Sequence, residues 1–226
     1  DAVVAMSDED KKAFGFLDPG LPVSVIPNGV DTRSCLPGEV RERGQQVLFI
    51  GRPEHLPNLD AAQWLVSEIW PEVLRSMPEA QLTLINMDTP TIRRASSGVP
   101  GIHLTGLVPD VIPYYRQADL YLAPLRIGSG TRLKILEAMA FGVPVVSTTV
   151  GAEGLVVDDG REIAVQDGTL EIARTCVELL RNADRRRSIS MAARGLVERK
   201  YDWEQIAGDL IALYERLIST RRDHRS

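Results

Sequence analysis

Between Ile127 and Glu137 the chain reads IGSGTRLKILE, a spacing that gathers groups able to hold a phosphate and a pair of sugar hydroxyls. Glycine lets backbone N–H groups approach a ligand closely, and a helix start adds unpaired donors and the positive end of the macrodipole. Gly128, Ser129, Gly130 and Thr131 therefore form an anion site in principle. Arg132 and Lys134 place two cations in the first helical turn, where the dipole alone favours acidic residues. A phosphate seated there explains them, and a sharp turn with two solvated cations explains them equally well. Glu137 lies roughly two helical turns beyond, at about 1.5 Å of rise per residue. Its carboxylate could accept both hydroxyls of a ribose. The plain alternative is a good helix former left in solvent.

The elements that must position these residues follow from the apolar pattern. Asp119 to Pro124 and Val143 to Ser147 fit strands buried on both faces. The helix between them carries a stripe of Leu133, Leu136 and Ala140, flanked by Ile135 and Met139, and Gly142 and Pro144 stop it. Further strands are expected at Ala2 to Ala5, Val23 to Ile26, Val47 to Ile50, Leu82 to Ile85, Ile102 to Leu104 and Arg161 to Val165. A short helix follows Ser7 and ends near Gly15. Asn58 caps a long one to about Met77, with Ala61, Leu65, Ile69 and Val73 inward and a break at Pro71. Thr91 to Ser97, Thr169 to Asn182, Asp184 to Lys200 and Trp203 to Leu217 complete the helices, with Asp202 as a cap. Ile206, Leu210, Leu213 and Leu217 share a face that could pack on a partner domain. Trp64 and Trp70 belong to the core. Tyr114 and Tyr115 point about 100° apart, so one is core and the other surface.

Strands alternating with helices give a mainly parallel α/β sheet. In such a sheet ligands gather outside the carboxyl ends of the strands, which puts Arg52 where a phosphate is within reach. A loop cation capping a helix end is the other reading of Arg52.

Composition narrows the function classes. The 226 residues carry a net charge of -5, which argues against a nucleic-acid partner. No apolar run approaches the roughly 20 residues of a membrane span. Cys35 and Cys176 lie far apart without metal-ligand spacing, so neither a disulfide scaffold nor a zinc site is expected. His55, His103 and His224 do not cluster either. There is no G-x-G-x-x-G after the first strand, no P-loop and no G-x-S-x-G elbow.

The run Glu137 to Val146, EAMAFGVPVV, resembles the nucleotide-sugar-binding segment of retaining GT-B glycosyltransferases of the family 4 type. Their signature is E-x(7)-E followed by A-M-A-x-G-x-P-V-V, and here the first glutamate is replaced by Ser129. GLVPDVIPYYRQA, Gly106 to Ala118, is similar to the element that meets the nucleotide base, which implicates Leu107 and Val108. IPNGVD, Ile26 to Asp31, resembles the hinge into the C-terminal domain. Gly51-Arg52 resembles the family's G-R-L segment. The lysine that follows five residues later in the family is Pro57 here, with Lys134 or Arg132 left to compensate. Asn86 stands where the family has glycine, so a different loop is expected there.

The resemblance implies a Rossmann-like three-layer sandwich with a mainly parallel sheet, the C-terminal half of a GT-B fold. It spans 1–226 as one nucleotide-sugar-binding domain, with 201–226 a crossover helix and basic tail. Such a half binds a nucleoside-diphosphate sugar for hexosyl transfer in polysaccharide or glycoconjugate synthesis. Arg52, Lys134 and Glu137 are the implied catalytic residues. Leu107, Val108, Gly128, Ser129, Gly130, Thr131 and Arg132 join them around the donor. No cofactor or metal is implied. The acceptor-binding N-terminal domain would be a separate, absent partner, leaving the isolated chain inactive or weakly active. A cytoplasmic setting is expected, peripheral to the inner face of the membrane through that absent domain or weakly through Arg221 to Arg225. A non-catalytic nucleotide-sugar-binding or interaction module is the alternative, and a non-hydrolysing sugar-nucleotide epimerase a weaker third.

Overall fold

The computed structural model describes residues 2–128, 130 and 132–223. The chain opens with β1 (Val3–Ala5), α1 (Asp8–Leu17) and β2 (Val23–Val25), then β3 (Gln46–Ile50), α2 (Leu56–Trp64) and α3 (Trp70–Ser76). Next come β4 (Gln81–Ile85), α4 (Pro90–Ala95), β5 (Ile102–Leu104), α5 (Ile112–Gln117), β6 (Leu120–Ala123) and α6 (Leu133–Ala140). β7 (Val145–Ser147), α7 (Thr149–Ala152), β8 (Ala164–Val165), α8 (Thr169–Arg181), α9 (Ala183–Lys200) and α10 (Trp203–Asp223) finish it.

Six strands form one parallel sheet in the order β5-β4-β3-β6-β7-β8. The chain steps outward from β3 to β5, then restarts on the other side of β3 with β6. Consecutive connections therefore leave the sheet in opposite directions at the β3–β6 junction, the place where open α/β sheets open a crevice. Alternate residues of the central strands feed two cores. Val47, Phe49, Leu120 and Leu122 meet α2, α3 and α8, while Leu48, Ile50, Tyr121 and Ala123 meet α6 and α9. Helices on both faces are why these strands read as nearly continuous apolar runs. The expected Rossmann-like three-layer architecture is the one observed.

β1 and β2 stand apart. Among the described residues they pair only with each other, in parallel, and α1 buries none of its residues.

Several local expectations need correction. The long helix begins at Leu56, with His55 as its cap and Pro57 in the first turn, so Asn58 lies inside it. Its break is a π turn at Leu65–Ile69, in which the Trp70 N–H reaches the Leu65 carbonyl. Pro71 supplies the cause, since it has no N–H and its ring crowds the carbonyl four residues back; a widened turn lets the rod continue. Ala61, Leu65, Ile69 and Val73 still face inward, fully buried. Leu133 does not join the α6 stripe, being 39% exposed, because the first residue of α6 borders the crevice rather than the sheet. Only Ala164–Val165 of the expected last strand is extended.

α10 runs longer than expected, and its Ile206 and Leu213 pack on Ile26 with Leu210 and Leu217 alongside. That face is thus covered in part by this chain's own residues. Asp202 does cap α10, accepting from the Glu204 N–H at 2.9 Å. Its other oxygen accepts from the Thr32 N–H and hydroxyl. With Val30 bonded to Tyr201 and Trp203 through the backbone, the 26–32 segment is strapped to the start of α10.

Candidate functional site

The crevice at the β3–β6 junction holds a cavity of about 190 Å³. Phe49 and Ile50 of β3, Tyr121 and Ala123 of β6, and Arg132, Leu133, Lys134 and Ile135 at the start of α6 line it, with Asn58 and Leu125. Its floor is apolar and its mouth cationic, as a site for a phosphate-bearing organic ligand requires. A larger, open hollow of about 880 Å³ lies between α3 and α8. It is away from every strand's carboxyl end and is edged by exposed side chains already paired, such as Arg75 with Glu72.

The glycine turn comes from the loop after β6. Gly128 and Gly130 have φ of 115° and 90°, conformations that side chains resist, so the glycines are needed for the chain path itself. A Cβ on Gly128 would also press Pro57 at 3.1 Å. Pro57, the residue standing in for the family lysine, therefore forms the seat of the turn. Arg126 fastens the same loop to α2, with a two-pronged bond to Asp60 and its guanidinium 4.8 Å over the Trp64 ring. Ser129 and Thr131 fall outside the described residues.

The three cations differ. Arg52, just past β3, is exposed, and among the described residues its side chain makes no hydrogen bond or ion pair. Its backbone carbonyl shapes the next turn, accepting from the His55 N–H and the Asn58 amide. Arg132 is turned inward, its side chain only 8% exposed. Its guanidinium donates to the carbonyls of Gly128 at 3.1 Å and Val150 at 2.8 Å, bracing the turn against α7. Burial pulls its pKa down, with Glu153 opposing. The alternative of a solvated cation at Arg132 is thus set aside: the side chain props the turn from behind. Lys134 is half exposed and bonds both carboxylate oxygens of Glu137, at 3.1 and 2.8 Å.

Glu137 receives a second bond that sequence reasoning missed. The Tyr115 hydroxyl donates to its Oε2 at 3.0 Å. Tyr115 is the buried member of the tyrosine pair and Tyr114 the more exposed one, as their angular separation requires. Only the fold could reveal the contact, because 22 residues and β6 separate the two.

Leu107 is 90% exposed beyond β5, and Val108 donates its N–H to the Asn86 side chain at 3.2 Å. Asn86 itself has φ of 60°, the left-handed conformation that glycine favours and asparagine tolerates best among other residues. Asparagine therefore holds the backbone in a conformation that glycine favours and adds a side-chain tie. Among the described residues no three of His, Cys, Asp and Glu converge as metal ligands, and no helix is long and apolar enough to cross a membrane.

The sequence model of Glycosyl transferases group 1 matches residues 44–182, more than half of the chain and all of the main sheet. The chain belongs to that family. It is 32% identical over 206 residues to the phosphatidyl-myo-inositol mannosyltransferase of Mycobacterium leprae, covering 86% of this chain and 54% of that protein. This group 1 chain thus spans about half the length of such relatives. Its fold matches sucrose-phosphate synthase from Thermosynechococcus elongatus with a TM-score of 0.78 at 20% identity, over 97% of this chain and 59% of that one. It also matches the C-terminal domain of a group 1 glycosyl transferase from Francisella tularensis, at a TM-score of 0.62 and 20% identity, over 77% of this chain and 100% of that one. The fold is that of the C-terminal half of a GT-B glycosyltransferase. These matches do not favour the alternative of a non-catalytic nucleotide-sugar-binding or interaction module.

Proposed function

We propose that the chain is the donor-binding half of a retaining hexosyltransferase and holds a nucleoside-diphosphate sugar at the β3–β6 crevice. The observation that carries the reading is the cavity between Phe49, Tyr121 and the start of α6, edged by Lys134. Lys134 in turn touches the Glu137 carboxylate one helical turn on. Glu137 accepts the ribose hydroxyls, and Leu107 and Val108 border the base. Arg52 and Lys134 meet the diphosphate, with Arg132 adding charge from behind and the glycine turn its backbone donors.

When the bond from the sugar to the diphosphate breaks, negative charge builds on the departing oxygen. A guanidinium and an ammonium held beside it stabilise that charge, a task usually worth about 100- to 1,000-fold in rate for one donor. Cations suffice for it, so no metal is required. The acceptor comes from a second half with which this chain operates, and alone it transfers sugar slowly or not at all. The mannosyltransferase relatives make mannose the first sugar to try.

Calorimetric titration with UDP, GDP and ADP tests the reading. One nucleotide should bind, and Arg52→Ala and Glu137→Ala should each weaken it about 10- to 100-fold, the loss expected for a charged hydrogen bond. Binding unchanged in both variants would sink the assignment.

A further inference from the structure

Glu137 lies on the partly buried flank of α6, paired with the more exposed Lys134 one turn earlier. Such a pair is weak and mobile when its partners face water, and it does not select one orientation of the carboxylate. Lys134 touches both oxygens, so it leaves them nearly equivalent. Tyr115 breaks the equivalence. Its hydroxyl lies 3.0 Å from Oε2 and 3.4 Å from the Lys134 carbonyl, and the single proton goes to the nearer, charged acceptor. Tyr115 is fully buried, so the oxygen it holds is the inward one and Oε1 faces outward.

The ring that carries this hydroxyl is fixed. It stacks on Phe141 at 4.9 Å between centroids and 12° between planes. Tyr121 lies 6.1 Å from it, tied by its own hydroxyl to the Ile50 carbonyl. Phe141 ends α6, and Tyr121 lines the cavity.

We infer that Tyr115 is a positioning residue, fixing the Glu137 carboxylate so that Oε1 is presented to the ribose hydroxyls of the bound nucleotide. The inference rests on the proposed nucleotide reading and adds to it the group that selects for ribose through Glu137. Burial, with Tyr121 and Glu137 nearby, also drives the Tyr115 pKa well above its ordinary value, so the phenol remains a donor near neutral pH.

The test pairs Tyr115→Phe, which keeps the ring and its stack, with Glu137→Ala and the double variant. Each is titrated with whichever of UDP, GDP and ADP the unaltered chain binds, and with the 2′,3′-dideoxy form of that nucleotide. Tyr115→Phe should weaken the ribonucleotide about five- to tenfold, the scale of one hydrogen bond, and the dideoxy form by less than about twofold. In the Glu137→Ala background it should cost nothing further. Equal weakening of both ligands would mark a general packing role and overturn the inference, as would an undiminished ribonucleotide affinity. If the unaltered chain takes none of the three, or Glu137→Ala binds as tightly, the nucleotide reading fails first and this inference falls with it.

Discussion

Two strand–helix–strand units of the same chain, β1–α1–β2 and β6–α6–β7, share parallel pairing and differ in almost everything that makes such a unit rigid. Every residue of β6 and β7 is buried, and α6 buries five of its own. α1 buries none, and its Phe16 is 89% exposed. The difference lies in the neighbours, not in the local pattern. β6 has β3 on one side, β7 on the other and helices over both faces, whereas β1 has β2 alone. A parallel pair of three-residue strands cannot secure itself, since such sheets depend on cover from both sides. The proposed site is centred on the rigid unit, where Phe141 and Tyr121 can hold a side chain to a fraction of an ångström.

Truncating the cores of the two units should separate them most strongly. Leu122→Ala removes a fully buried side chain from β6 and should cost about 2–5 kcal/mol in denaturant unfolding. Phe16→Ala should stay within about 0.5 kcal/mol. Comparable losses would mean that α1 is held more firmly than its exposure indicates.

A smaller effect should appear at high pH. Burial raises the phenol pKa values of Tyr115 and Tyr121, both in the rigid half, while the β1–α1–β2 unit contains no tyrosine. The fold therefore favours the protonated phenols. That stability is complete below the unfolded value of about 10 and is lost as pH rises through the higher folded values. Melting temperature should begin to fall above about pH 10, and Tyr121→Phe should flatten the fall. An unchanged slope would show that these hydroxyls ionise without cost.

Much of this was legible in the letters. Apolar runs gave β3, β4, β6 and β7, because strands covered on both faces carry little polar punctuation. The stripe Ala61, Leu65, Ile69 and Val73 gave the packing of the helix over β3. The π turn escaped, since Pro71 announces a disturbance without saying how the backbone absorbs it. Membership of β1 and β2 in a separate sheet escaped too, because pairing is decided by contacts distant in sequence. At the site, the glycine turn, Lys134 and Glu137 could be placed from spacing on one helix. The bracing bonds of Arg132 escaped because a cation in a first turn looks the same whether it faces solvent or two carbonyls. Tyr115 could not be joined to Glu137 without the sheet that brings α5 beside α6.

The central claim is that the ligand enters the β3–β6 crevice and no other hollow. Hydrogen exchange with and without saturating nucleotide tests it directly. Slowed exchange is predicted at 51–57, 106–108 and 126–137, with α3 and α8 unchanged. Protection confined to the 880 Å³ hollow between α3 and α8, with the glycine turn unaffected, would contradict the account.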